Sequence, residues 1–231
     1  MIKNLIIVLT IMCLAVPAFA VDNSEIVQEQ TVQNKIDDIG TKLLNANKIQ
    51  ERIMFVYDKT DKKALLKLDT KMTSRRVFMY DGAYKFAEND DEIAAFLARG
   101  IVIAAKSFDG YFKGGLNSLQ IAASPKKYEV IADKLAVDLM VNAGFNPLGL
   151  ITYINKTVPQ RRYDSISNKN LASKRLAFIY EYIFNKYPYF LVNNEYLENE
   201  HYQNFLLNSQ GNRRLLKQKI KSGSNEKVKY E

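Results

Sequence analysis

The chain has 231 residues, 47% hydrophobic and 25% charged, with 33 Lys and Arg against 25 Asp and Glu and a formal net charge of +8. That composition belongs to a globular domain with a real core and not to a disordered chain. One cysteine and one histidine exclude a disulfide framework and a Cys/His-rich metal site.

The first twenty residues have the order of an export signal. Lys3 supplies the positive start, residues 5–16 an apolar stretch, and Ala18-Phe19-Ala20 a small-x-small cleavage site. The apolar stretch is shorter than the roughly 20 residues a spanning helix needs. Cys13 lies inside it behind Thr10-Ile11-Met12, unlike a lipoprotein box. Cleavage after Ala20 is the expectation, giving an exported chain, periplasmic or secreted, with no cysteine and a net charge lower by the one Lys removed. No later segment is apolar enough to span a bilayer.

Residues 24–50 read as an amphipathic helix, with Ile26, Ile36, Ile39, Leu43 and Leu44 at roughly helical spacing. Residues 52–57 and 64–68 read as strands around a turn at 58–63. Residues 76–80 and 83–86 read as a hairpin about Asp81-Gly82, so a small antiparallel sheet is expected. Asn89 and Glu92 then form a capping-box pattern for a helix over 90–107. Asp90 and Asp91 favour the positive end of its dipole, and the acidic cluster reads as capping in preference to catalysis.

Residues 109–117 carry Gly110, Gly114 and Gly115 and read as a linker, since no strand precedes them as a phosphate loop requires. Pro125 opens a second long helix, with Tyr128, Ile131, Leu135 and Leu139 as its buried stripe and Gly144 just past its end. Asn146-Pro147 repeats the start signal for a helix to about 156. A polar loop over 159–170 precedes helices over 171–185 and 196–207. From 213 to 229 there are seven basic residues and one acid, expected as a flexible basic tail over 209–231 behind a single domain over 21–208.

Four segments together resemble metallopeptidase family 48, the group of HtpX, BepA and the CAAX prenyl proteases. They are the helix and short strands ending at residues 80–86, and Glu92-Ile-Ala-Ala-Phe-Leu-Ala98 in the place of the segment before H-E-x-x-H. The others are Glu129-Val-Ile-Ala-Asp133, which matches E-x-x-A-D, and Ala143-Gly144-Phe145-Asn146-Pro147. The resemblance covers roughly residues 30–157. It implies an α+β, mainly helical, zincin-like domain whose small antiparallel sheet packs on the former active-site helix.

Family members hold zinc with two histidines and a glutamate, and a second glutamate acts as base on the zinc-bound water. Carried over residue by residue, Arg99 stands at the first histidine, Gly100 at the base and Ile103 at the second histidine. Only Glu129 remains as the third ligand, with Asp133 one turn on. Arg175 matches the family's later arginine, without a histidine beside it. His201 is either a surface histidine or a recruit to a metal site with Glu129. Zinc belongs to the family but is not expected here, and no other cofactor is implied. A guanidinium stays charged, so Arg99 either pairs with Glu129 and Asp133 or reaches solvent.

The resemblance therefore implies a pseudoenzyme of the cell envelope, a binding or regulatory module. An envelope polypeptide would be held along the edge Arg76, Val77, Phe78, Met79 and Tyr80. The alternatives are a metalloendopeptidase with a non-standard site and a protein adhering to anionic surfaces through Arg213, Arg214, Lys217, Lys219 and Lys221. No nucleic-acid motif is present.

Overall fold

A computed structural model describes residues 23–61, 75–106, 125–157 and 171–230. The expected signal segment (1–20), strand over 64–68, linker over 109–117 and loop over 159–170 lie outside the described residues. The turn over 58–63 lies partly outside them.

Helix α1 (Asn23–Ala46) forms where Val32, Ile36, Ile39 and Leu43 recur on one face, and all four are buried. Strands β1 (Met54–Asp58) and β2 (Arg76–Tyr80) follow. The side chain of Gln33 on α1 mimics a strand partner for β1. Its Nε2 donates to Phe55 O at 3.0 Å, and its Oε1 accepts from Tyr57 N at 2.8 Å. The helix thereby covers an edge that would otherwise carry unpaired backbone groups.

The sheet corrects the sequence expectation twice. β1 and β2 pair in parallel, Phe55 opposite Val77 and Tyr57 opposite Met79, so the sheet is not antiparallel. Residues 81–86 form no strand but helix α2 (Asp81–Phe86). Asp-Gly reads as a hairpin turn locally, but Asp81 binds the Tyr57 hydroxyl at 2.6 Å and Lys85 one turn on at 2.6 Å. Gly82 and Ala83 are buried, and Ala83 O accepts from the Tyr153 hydroxyl at 3.2 Å. Tertiary partners thus outweigh the turn propensity of the dipeptide.

Helix α3 (Asp90–Lys106) is the centre of the molecule and packs on α1, β2 and the next two helices. Asn89 caps it, its Oδ1 accepting from Glu92 N at 3.0 Å. The reciprocal bond of the capping box is displaced by one residue, because Glu92 Oε2 takes Glu88 N at 2.8 Å.

Helix α4 (Pro125–Asn142) ends as expected. Gly144 has φ +74°. Gly144 N donates to Val141 O at 3.0 Å and Phe145 N to Met140 O at 2.9 Å, a Schellman closure. Its buried stripe is not the one expected. Leu135 is exposed and Ile131 and Leu139 are half-buried, whereas Glu129, Ala132, Asp133, Ala136, Val137 and Met140 face inward. Two charged residues on the inner face made apolar periodicity point to the wrong side.

Helix α5 (Leu148–Thr157) starts at the Asn146 cap, whose Oδ1 accepts from Leu148 N at 3.0 Å. Helix α6 (Leu171–Lys186) falls where expected, and the four-residue α7 (Tyr189–Val192) follows. Helix α8 (Glu200–Asn208) begins later than 196 because Asn199 caps it, accepting from Tyr202 N at 3.0 Å. Tyr196 sits before the helix with its hydroxyl 3.0 Å from Asp91 Oδ2.

The basic end is not a flexible tail throughout. It forms helix α9 (Gln210–Ser222), which buries Asn212 and Leu216 and stops at Gly223 in the left-handed region. Beyond it Tyr230 is buried with its ring edge-on to Phe178. Among the described residues no helix is long and apolar enough to cross a membrane.

Candidate functional site: a buried four-charge cluster

On α3, residues 92, 96, 99 and 103 share one face, since they follow the i, i+4, i+7, i+11 spacing. Opposite them Glu129 and Asp133 share one face of α4, and Arg175 projects from the first turns of α6. Arg99, Glu129, Asp133 and Arg175 are all buried. They meet in one cluster.

Arg99 donates from Nη2 to Glu129 Oε2 at 2.7 Å and from Nη1 to Asp133 Oδ1. Arg175 grips the same aspartate with both ends of its fork, Nε to Oδ2 at 2.8 Å and Nη2 to Oδ1 at 2.9 Å. Its Nη2 also lies 3.5 Å from Glu129 Oε2. Two guanidiniums thus balance two carboxylates, and three helices are tied through them. Arg99 therefore takes the first of its two expected arrangements.

Burial opposes the charged form of Arg175, but Asp133 and Glu129 outweigh it and hold the guanidinium pKa above its ordinary value. Arg99 Nε finds no acceptor among the described residues, so the desolvation of this group is not fully offset.

The other signature positions have packing roles. A Cβ at Gly100 would lie 2.4 Å from Val77 Cγ1, so the absent side chain lets β2 approach α3 closely. Ile103 is half-buried. Of the expected peptide edge, Val77 and Met79 point into the core, Arg76 is exposed, and Phe78 and Tyr80 are half-buried.

A second buried charge cluster was missed in the sequence. Glu92 is buried and accepts from Lys156 Nζ at 2.7 Å and the Thr152 hydroxyl at 2.7 Å. Lys156 also reaches Glu88 at 2.9 Å, and His201 Nε2 lies 3.4 Å from that same Glu88 oxygen. The acidic start of α3 is therefore more than a cap. The sequence held only part of the signal: Thr152 and Lys156 stand i, i+4 on one helix and Glu92 lies on the buried stripe of α3, but nothing local decides whether Lys156 pairs or extends into water. His201 is engaged at the start of α3, about three helical turns from Arg99, so it is not brought to Glu129.

The cluster does not fit a zinc ion. Glu129 and Asp133 already accept hydrogen bonds from two cations, which would repel a third, and among the described residues no imidazole or thiolate is beside them. Among the described residues no group of three or more His, Cys, Asp and Glu is arranged to hold a metal. The arrangement's own chemistry is that of an ionic tie between helices. No protein-family model matches the chain, and no curated protein or solved structure matches it.

Proposed function

We propose that this protein is a non-hydrolytic relative of family 48 metallopeptidases, exported to the cell envelope, where it acts as a binding or regulatory module. One observation carries the reading. Arg99, which the family pattern sets at the first histidine ligand, is paired with Glu129, at the third ligand, and with Asp133, and Arg175 joins them in a buried cluster. In this reading the ion pairs replace the metal as the link between the helices and keep the zincin-like scaffold without its activated water.

The partner is an extended envelope polypeptide, and β2 is the segment at which the family mode of recognition would apply. The test is zinc content and peptide hydrolysis by the protein beginning at Val21, after zinc incubation and desalting. The expected outcome is no stoichiometric zinc and no cleavage of an unfolded protein substrate. One tightly held zinc per chain, lost on Glu129→Gln, would instead support the metalloendopeptidase alternative.

A further inference from the structure

Helix α9 presents its cations in two groups. Arg213 is folded back, with Nη2 on Leu206 O at 2.6 Å and Nε on Ser209 Oγ at 3.1 Å. Lys219 pairs with Glu181 on α6 at 3.1 Å. Arg214, Lys217 and Lys221 are exposed and engage no acid among the described residues. Their i, i+3, i+7 spacing sets them in one stripe, opposite the buried Asn212 and Leu216 that hold the helix to the body. Exposed Lys227 and Lys229 follow in the chain, and Ile220 on α9 and Leu207 at the end of α8 are also exposed.

We infer that the outer face of α9 is a docking surface for a bilayer rich in anionic lipid. Charge complementarity is the first argument, because three cations on one helix face, paired with no acid among the described residues, attract an anionic surface. The second is the mixture. Exposed Ile220, one turn from Lys217 on the same helix, sets an apolar side chain beside the basic ones, which suits a headgroup region offering both phosphate and acyl chain better than a purely polyanionic partner. The inference stands independently of the family reading, since no residue of the buried cluster takes part.

The experiment is flotation of the protein beginning at Val21 with vesicles of phosphatidylglycerol and phosphatidylcholine, compared with phosphatidylcholine alone. The variants are Arg214→Gln/Lys217→Gln/Lys221→Gln and a control that removes three exposed cations elsewhere, Lys42→Gln/Lys48→Gln/Arg52→Gln. Each basic residue at an anionic surface changes partitioning about fivefold. The α9 variant should therefore lose about a hundredfold on anionic vesicles, and the control should keep most of its binding. Equal binding to neutral vesicles would overturn the role of anionic lipid, and equal losses in both variants would overturn the assignment to α9. Tighter binding to duplex DNA than to anionic vesicles in the same buffer would overturn the assignment to lipid.

Discussion

Arg99 on α3 and Asp133 on α4, 34 residues apart in the chain, share a hydrogen bond buried from solvent. Arg175 reaches the same carboxylate from α6, so Asp133 is the joint of three helices. Breaking such a pair from one side leaves an uncompensated buried charge, whereas removing the whole set leaves only a packing problem.

Arg99→Met should therefore lower the unfolding free energy by about 3–5 kcal/mol. The variant that replaces all four members by Met or Leu should lose less than this single change. Urea midpoints of the two proteins test the ordering. An unchanged midpoint for Arg99→Met would mean that the pair does not support the fold.

Lys156 should behave similarly. Lys156→Met strands the buried Glu92 carboxylate and should cost about 3 kcal/mol or more. Thr152→Val removes one neutral donor from the same carboxylate and should cost about 1 kcal/mol. Equal effects would place the energy of this site in packing and not in charge.

Two carboxylates at the start of α3 should respond to pH in opposite senses. Burial works against the charged form of Glu88, but Lys156 outweighs it, and the pKa falls below 4.5. Its stabilisation is present above 4.5 and is lost as pH falls through the folded value. Burial raises Asp91 above 3.8, so its contribution is fullest below 3.8 and declines as pH rises through the folded value. The penalty of Glu88→Gln should accordingly shrink towards acid, and that of Asp91→Asn should shrink towards neutral pH. Urea midpoints of both variants and the parent across about pH 3 to 7 decide the signs.

Gly100→Ala should destabilise in spite of its better helix propensity. The gain is about 1 kcal/mol, and forcing a methyl against Val77 costs about 1–3 kcal/mol. Val77→Ala should relieve the clash, so the double variant should lose less than the sum of the single changes. Strict additivity in a double-mutant cycle would mean that the two residues do not touch.

The readable parts of the fold were those decided within a few residues. Asn89, Asn146 and Gly144 mark helix ends through bonds to groups two to five positions away, and each does so in the structure. Arg99 was legible as a residue in need of carboxylates because its charge cannot be discharged by losing a proton. Lys156 was not read, because an isolated lysine at the end of an apolar helix has the same sequence whether it pairs with a buried glutamate or extends into water.

The sequence by itself determined where the long helices α1, α3, α4, α5 and α6 lie, that the charge of Arg99 needed a partner or an exit to solvent, and the basic excess over residues 213–229. Tertiary structure decided that residues 81–86 wind into a helix, that β1 and β2 run parallel, that α4 turns Glu129 and Asp133 inward, and that the basic end packs as α9. The division has one physical cause. Caps and helical periods draw on neighbours a few residues apart, whereas strand direction, helix phase and charge pairing depend on partners tens of residues away, which only the folded chain brings together.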